Sequence, residues 1–185
     1  MPPREDAQSP DARRTFSDLY ETHGTAVFNF LRRFLPRGNG ADDCFQETFA
    51  RLWRMLPRYR EEGRGRAFLL TIARNVALDH LERRKRDRDA TATLALDGEG
   101  MHWDEAPGVS QQEISAIVRA KIAELPESQR ETFLLYRYDN LSYAEIARIQ
   151  GVGVKTVESR LYRAMKQLGR SLRPYRHLSE EESPR

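Results

Sequence analysis

The sequence holds one cysteine and no long apolar run, and both shortages exclude classes of protein. The single Cys44 in 185 residues rules out an internal disulfide and a cysteine-rich zinc site, and it fits a reducing compartment. No apolar stretch approaches the roughly 18 residues that a membrane span needs, and residues 1–14 hold no hydrophobic signal core. We therefore expect a cytoplasmic protein without membrane insertion.

Strand-like alternation of Val, Ile or Thr is also missing, and glycine and proline are rare within the periodic stretches. This pattern predicts an all-α protein. The four histidines lie far apart without HExxH or another paired ligand spacing, so we expect no metal site. A phosphate-cradling glycine loop and a nucleophile elbow are absent too. We expect no catalytic residues and no cofactor, and a helical nucleic-acid enzyme has no residues to support it.

Residues 139–173 predict a helix, a tight turn and a second, longer helix. Ser142 and Glu145 have the spacing of a capping box, which marks the start of the first helix. Gly151 is placed to end that helix in the left-handed conformation, and the second helix then begins near Gly153. Together they predict a helix-turn-helix.

The second helix of this pair combines an apolar stripe with a basic face. The stripe repeats at helical spacing: Val157, Leu161, Ala164 and Leu168. Between residues 154 and 176, seven Lys and Arg residues stand against Glu158 alone, a local charge of +6. An antiparallel helix pair with solvated charges would also fit the spacing. The charge favours DNA binding, because cations that displace phosphate counterions gain affinity.

The first half of the chain predicts a small helical domain at residues 15–87, after a polar, disordered lead at 1–14. Its helices are expected at about 15–35, 42–56 and 66–86, with a charged loop before the third. Eight basic and three acidic residues between 64 and 88 give a local charge of +5. The third helix is therefore a second candidate for nucleic-acid contact.

An acidic segment separates the two helical parts. Residues 87–110 hold six acids against Arg88, with glycine, proline and no sustained period, so we interpret residues 88–110 as a flexible linker. Helical periodicity resumes at about Gln111, and Pro126 is well placed to begin a further helix. The predicted second domain spans 111–173, and residues 174–185 are expected to form a disordered tail.

Three blocks of sequence carry a resemblance to a known family. They are ADDCFQETFARLWR, AFLLTIARNVALDHLERRKR and LPESQRETFLLYRYDNLSYAEIARIQGVGVKTVESRLYRAMKQL. Their order and spacing resemble the extracytoplasmic-function group of bacterial sigma-70 factors, from about Phe16 to Leu172. The resemblance implies an alternative sigma factor with a region 2-like and a region 4-like domain. Such a protein brings core RNA polymerase to promoters, without catalytic activity of its own.

The resemblance also implies a role for each helix. The second helix of region 2 would bind core polymerase, through Asp43, Gln46, Glu47 and Arg51. The following loop and third helix would recognise the −10 element and hold an unstacked base, through Tyr59, Arg64, Arg66, Asn75, Asp79, Arg83 and Arg84. The recognition helix of region 4 would read the −35 element, through Lys155, Thr156, Glu158, Ser159, Arg160, Arg163 and Lys166. The expected partners are core polymerase, promoter DNA and an anti-sigma factor.

Four positions depart from the family's usual pattern. Phe68 stands where tryptophan is common, and Gly153 replaces a frequent serine N-cap. Glu158 occupies an often basic position, so the family's −35 sequence cannot be carried over. Cys44 replaces an aliphatic residue, and we interpret it as a small buried hydrophobe rather than a redox sensor.

A stand-alone helix-turn-helix regulator that binds operators without polymerase is the alternative interpretation. The two region 2 blocks argue against it, because a plain repressor needs neither of them. The resemblance does not specify the promoter, the inducing signal, the anti-sigma factor or the path of the linker. Nor does it assign a regulatory role to Trp103 in the linker.

Overall fold

The computed structural model describes residues 10–36, 38, 40–60, 63–91 and 111–175, and all the regular structure in them is helical. This confirms the prediction of an all-α protein. The helices are α1 (Pro10–Phe34), α2 (Ala41–Met55), α3 (Gly65–Thr91), α4 (Gln111–Ala123), α5 (Glu127–Arg137), α6 (Tyr143–Gln150) and α7 (Val154–Ser171). A short 3-10 turn, Leu56–Arg58, follows α2. Most of the predicted linker, including Trp103, lies outside the described residues.

Two helices are longer than their sequence patterns predicted. α1 begins at Pro10 rather than near Thr15, since a first helical turn tolerates proline, and Asp11 lies where a carboxylate complements the helix dipole. α3 continues to Thr91, beyond the expected end near Arg86. Residues 87–91 contain no glycine or proline to stop it. The start of the predicted linker is therefore helical.

Helices α1, α2 and α3 pack into the first unit around a closely filled apolar centre. Val27, Phe30 and Leu31 of α1 are fully buried there, together with Leu52 of α2 and Leu69 of α3. An aromatic group joins α1 to α2 at one end of this unit, made of Phe16, Tyr20, Phe45, Phe49 and Trp53. These contacts fix the surfaces that α2 and α3 present outward.

Helices α5, α6 and α7 form the second unit, with α4 against α7. Its centre contains Leu134 and Leu135 of α5, Ile146 of α6 and Val157 of α7. Pro126 occupies the N-cap position of α5. The sequence predicted each of these elements because their apolar periods are regular.

The two units pack directly against each other. α1 contacts α5, α3 contacts α6, and their buried residues form one continuous apolar core. Two ion pairs cross between the units, from Arg66 to Asp139 and from Arg74 to Glu131. The sequence predicted the two helical units but not this contact between them.

Candidate nucleic-acid interface

Local features fix both the start of α6 and the turn that follows it. Ser142 Oγ accepts from the Glu145 backbone N–H at 3.3 Å, and the Ser142 N–H donates to Glu145 Oε2 at 2.8 Å. This capping box also holds the pKa of Glu145 below its usual value, because the carboxylate accepts from Ser142. Gly151 takes a left-handed conformation with φ of 65°. The predicted helix-turn-helix start and turn are thus confirmed.

The end of α6 shows why the turn is tight. The N–H of Val152 donates to the Ala147 carbonyl at 3.0 Å, and the N–H of Gly151 donates to the Arg148 carbonyl at 3.3 Å. This pair of bonds is a Schellman motif, which satisfies carbonyls that a helix end leaves open. Val152 packs against the core at the corner. The local bonds therefore fix the angle at which α7 leaves α6.

α7 presents a polar surface opposite its buried stripe. Val157, Leu161, Ala164 and Leu168 are all buried, as predicted. Six predicted −35 residues are exposed: Lys155, Thr156, Glu158, Ser159, Arg163 and Lys166. Tyr162 lies among them with 65% of its surface exposed, and the Lys166 ammonium lies 5.7 Å from its ring centroid. Tyr162 was not in the predicted set, although its position on the helix places it on this face.

Arg160 is turned away from the other six residues. It is half-buried, and its Nη1 donates to Gln150 Oε1 of α6 at 2.8 Å. Gln150 is itself buried and bonds Thr132 of α5 through its amide nitrogen at 3.0 Å. The structure therefore places Arg160 in a polar network that joins α5, α6 and α7, rather than on the open face of α7.

The residues predicted for the −10 element do not share one face of α3. Asn75, Asp79 and Arg83 follow each other at intervals of four and form one stripe. Arg66 lies nine residues before Asn75, which places it about 180° around the helix axis at about 100° per residue. It points instead toward the second unit, where its Nη2 donates to Asp139 at 2.9 Å.

The loop before α3 and the facing side of α1 line a cavity that is open to solvent. The approach is close at Gly65, where a Cβ atom would lie 2.7 Å from Leu19 Cδ2 and 3.2 Å from His23 Nε2. The cavity has a volume of about 330 Å³, and its lining comes from α1 (Thr15, Asp18, Leu19, Thr22, His23) and from the loop and α3 (Gly63, Gly65, Arg66). Tyr59, from the predicted set, packs on Phe68 with ring centroids 5.0 Å apart. The α1 wall was not predicted, because it depends on a long-range contact.

The predicted polymerase-binding residues occupy the outer side of α2. Asp43 and Gln46 are exposed, whereas Glu47 and Arg51 are half-buried. Glu47 Oε1 accepts from Arg51 Nε at 2.8 Å and from Arg54 Nη2 at 3.0 Å. The hydrogen bond from Arg51 holds the pKa of Glu47 below its usual value. These ion pairs hold the charged side chains of Glu47, Arg51 and Arg54 in place on the outer side of α2.

Cys44 lies on the inner side of α2 and is buried. Burial raises the pKa of its thiol to about 11, so the thiolate is strongly disfavoured near neutral pH. This agrees with its interpretation as a small hydrophobe.

Among the residues that the structure covers, no cluster of three His, Cys, Asp or Glu side chains could hold a metal ion. Within the same residues, no helix has the length and apolarity of a membrane span.

Two family models match the chain. The model of sigma-70 region 2 matches residues 19–87, and that of sigma-70 region 4 matches residues 115–168. The first range covers α2 and most of α1 and α3, and the second covers α5, α6 and most of α4 and α7. The matches therefore coincide with the two packed units.

Named relatives extend over most of the chain. The RNA polymerase sigma-H factor of Pseudomonas aeruginosa is 33% identical over 170 residues, which cover 88% of each chain. The ferric citrate uptake sigma factor FecI of Escherichia coli is 32% identical and covers 87% of this chain and 92% of its own. The ECF sigma factor SigC of Mycobacterium tuberculosis is 36% identical over 138 residues, which are 75% of this chain and 72% of SigC.

Solved structures show the same arrangement of helices. The sigma factor RpoE of Bartonella quintana, in complex with the anti-sigma factor NepR, has a TM-score of 0.71 at 22% identity and covers 86% of this chain and 97% of RpoE. CnrH, in complex with the cytosolic domain of CnrY, has a TM-score of 0.61 at 25% identity, over 97% of this chain and 95% of the other. The first of these supports the fold alone.

Proposed function

Because the chain belongs to the extracytoplasmic-function group of sigma-70 factors, we propose that its two units divide promoter recognition between them. As a sigma factor the protein is not an enzyme: it binds core RNA polymerase and directs promoter-specific initiation. The unit at residues 15–87 would bind polymerase and the −10 element, and the unit at 111–173 would bind the −35 element. The observation that carries this division is the exposed basic face of α7, opposite a completely buried stripe.

The −35 element would lie against α7. Lys155, Arg163 and Lys166 supply cations for phosphates and base edges, while Thr156 and Ser159 supply hydroxyl groups near the start of the helix. The first turn of α7 carries no acidic residue and no side-chain cap. The N–H groups of Thr156 and Val157 donate to the Gly153 carbonyl. The positive end of the helix dipole would still favour a phosphate at this end of α7. Arg160 is hydrogen-bonded to Gln150, so it would contact DNA only after that bond breaks.

The −10 element would meet the first unit at two places. Asn75, Asp79 and Arg83 form a polar stripe along α3, and the cavity between α1 and the loop before α3 is open to solvent. A base that leaves the stack needs protein contacts to offset the stacking it loses. Asp18, Thr22 and His23 of α1 could supply such contacts from the cavity wall. Arg64 and Arg84 would add phosphate contacts.

Core polymerase would bind the charged outer face of α2. Asp43 and Gln46 are free to reach a partner surface, whereas Arg51 is held by its ion pairs and would mainly position Glu47. We further propose that the protein works in the cytoplasm with polymerase and that an anti-sigma factor controls it. The relatives support the first point by being RNA polymerase sigma factors. The similar chain CnrH, solved in complex with the cytosolic domain of CnrY, motivates the second.

Run-off transcription from a library of random promoters tests the proposed function. Purified core polymerase is assayed with the protein, without it, and with a triple variant, Lys155→Ala, Arg163→Ala and Lys166→Ala. New start sites should require the wild-type protein, and the selected DNA should show both promoter elements. The triple variant should bind core polymerase normally but lose selection at −35. DNA binding by the protein without any core binding would instead identify a stand-alone regulator.

A further inference from the structure

Glu158 is the one acidic residue of α7, and it lies on a helix that is otherwise basic. It is the fifth residue of α7, which runs from Val154 to Ser171. Between residues 154 and 176 the chain holds seven Lys and Arg residues around it. A surface that binds phosphates gains affinity from each cation and loses affinity from each nearby carboxylate. The presence of this acid on α7 therefore needs its own explanation.

The folding of α7 does not supply that explanation. Glu158 lies beyond the first helical turn, where a carboxylate would complement the helix dipole, and that turn holds no acid. The residues four positions away on either side are Val154 and Tyr162, so the usual i, i+4 pairing with a cation is missing. Among the residues that the structure describes, none forms an ion pair with Glu158. Its side chain is exposed, so the carboxylate is free to meet a ligand.

The exposed surface of α7 contains two strips that lie side by side. The first, here called the Glu158 strip, repeats at intervals of four residues and consists of Val154, Glu158 and Tyr162. The second follows it residue by residue and consists of Lys155, Ser159 and Arg163. Each member of the second strip lies about 100° further around the helix axis than its neighbour in the first. The cations are therefore in the second strip, and the Glu158 strip has none.

The two residues that flank Glu158 in its strip are large and apolar but not buried. Val154 is 43% exposed, and Tyr162 is 65% exposed. Apolar side chains have little to offer a phosphate, but in the major groove they contact thymine methyl groups and exclude water from the base edges. A hydrogen bond that is shielded from water is stronger than one in open solvent. The composition of the Glu158 strip thus suits base edges better than the phosphate backbone.

The position of Glu158 along α7 is also one from which base edges are reached. In a helix-turn-helix, the residues in the N-terminal part of the recognition helix contact the bases. Glu158 lies about 6 Å along the axis from the first residue of α7, at about 1.5 Å for each residue. Val157 and Leu161, on the buried stripe, are 0% and 2% exposed. They fix the helix turn that carries Glu158, so its carboxylate would enter the groove at a defined place.

The chemistry of a carboxylate selects one base among the four. An ionised carboxylate only accepts hydrogen bonds. In the major groove, guanine presents two acceptors, and thymine presents an acceptor and a methyl group. Adenine presents an amino donor beside the acceptor N7, which repels a carboxylate, whereas cytosine presents its N4 amino donor alone. An acceptor placed against another acceptor leaves both without a partner, which is unfavourable. Cytosine is therefore the base that Glu158 fits.

We propose that Glu158 reads one cytosine of the −35 element, by accepting a hydrogen bond from the N4 amino group in the major groove. Val154 and Tyr162 lie on either side of this contact and shield it from water. The inference rests on the proposed binding of the −35 element by α7, and it names a base that the element contains. At sequences without this cytosine the carboxylate only repels the DNA. Glu158 thus gives up affinity for other sequences and gains selectivity for its own.

Base selection by the assembled holoenzyme tests the contact. Core polymerase transcribes promoters that are randomised at −35 only, with the wild-type protein, Glu158→Ala or Glu158→Gln. The wild type should favour cytosine at one position by at least about fivefold over any other base. Glu158→Ala should lose the preference at that position and at no other. Glu158→Gln should shift it toward adenine, since a glutamine amide pairs with both N6 and N7 of that base.

Glu127→Ala is the matched control for loss of charge. Glu127 is an exposed glutamate of α5, in the same unit as α7 but on another helix. Its removal changes the net charge of the chain as much as the removal of Glu158 does. The Glu127→Ala protein should therefore keep the base selection of the wild type at every position of the −35 element.

A single methyl group on the base tests the hydrogen bond itself. N4-methylcytosine still pairs with guanine, but its methyl group replaces the hydrogen that points into the major groove. At the selected position it should weaken binding of the wild-type holoenzyme by at least about fivefold. It should leave binding by the Glu158→Ala holoenzyme unchanged. The two changes form a double-mutant cycle, so their coupling reports the contact between this carboxylate and this base.

Three results would overturn the inference. One is a wild-type protein that selects a −35 element without cytosine. Another is a Glu158→Ala protein that binds every −35 sequence more tightly by the same factor and keeps the wild-type selection, because Glu158 would then only repel phosphates. The third is N4-methylcytosine that weakens binding by both proteins equally. All three leave polymerase-dependent start sites intact, whereas a lack of new start sites with the wild type would remove the proposed function itself.

Discussion

Arg51 of α2 donates through Nη2 to Asp79 Oδ2 of α3 at 3.0 Å, which joins the proposed polymerase surface to the proposed −10 surface. The same guanidinium bonds Glu47 through Nε. Substitution of Arg51 or Asp79 would therefore disturb both surfaces at once. Residues that are exposed and lie clear of this ion pair, such as Arg163 and Asp43, separate the two roles more cleanly.

Arg163→Ala should weaken binding to a −35 duplex by roughly 1–3 kcal/mol if Arg163 contacts a base, and should leave core association unchanged. The reason is that Arg163 projects from the exposed face of α7, far from α2 in the chain. Arg119→Ala, an exposed arginine on α4, is the matched control and should change neither. Fluorescence anisotropy with duplex DNA and with labelled core polymerase measures both affinities. Equal loss of DNA and polymerase binding would contradict the division of labour.

Asp43→Arg should impair binding to core polymerase, because it reverses a charge on the exposed face of α2. Asp42→Arg is the control: it makes the same change in the same helical turn but points about 100° away. Both variants disturb the helix dipole equally, so only the difference between them reports on the interface. Competition with the wild-type protein for core polymerase supplies the measurement. If the two variants bind alike, Asp43 does not belong to the interface.

Most of the helix-turn-helix could be predicted from sequence because its determinants are local. The capping residues Ser142 and Glu145, the left-handed Gly151 and the apolar period of α7 all act within a few residues. Arg160 was predicted as a −35 residue, and the structure shows it hydrogen-bonded to Gln150 of α6. It lies four residues from buried Ala164, about 40° away around the helix axis, and this angle indicates the edge of the buried stripe.

The contact between the two helical units could not be predicted, because helical periodicity does not show which outer faces of the helices meet. Glu131 and Asp139 are charged residues, which are rarely buried unless they are paired, and their partners Arg74 and Arg66 lie more than fifty residues earlier. The α1 wall of the cavity is a long-range feature of the same kind. Gly65 offered a local signal, since a glycine at the start of a helix marks a possible close approach.

Gly65→Ala should destabilise the first unit by about 1–3 kcal/mol, because its new Cβ would overlap Leu19 of α1. It should also reduce opening of the −10 element, since the loop would be displaced from the cavity. Gly169→Ala on α7 is the control: nothing lies within 4 Å of its Cβ position, and alanine should raise stability by about 0.5–1 kcal/mol. Thermal unfolding and permanganate detection of unpaired bases measure the two effects. A Gly65→Ala protein with wild-type stability would show that α1 and the loop are not in close contact.

Stability should respond to pH through Glu131 with a predictable sign. Burial raises the pKa of Glu131 above its ordinary value of 4.5, against the opposing effects of Arg74, Gln150 and Arg160. The folded chain therefore holds this proton more tightly than the unfolded chain, so the stabilisation is complete below about pH 4.5 and is lost as pH rises through the folded pKa. Relative to Glu131→Gln, which cannot ionise, the wild-type protein should lose stability as pH increases across this window.

Glu145 supplies a control of opposite sign. Its pKa is lowered by hydrogen bonds from Ser142, so its stabilisation is present above its ordinary value and is lost as pH falls through the folded pKa. Urea unfolding of the wild-type protein, Glu131→Gln and Glu145→Gln between about pH 4 and pH 8 should give difference curves with opposite slopes, since the two carboxylates are shifted in opposite directions. Parallel slopes would mean that Glu131 is hydrated in solution. The contact between the two units, which buries Glu131, would then be open in the free protein.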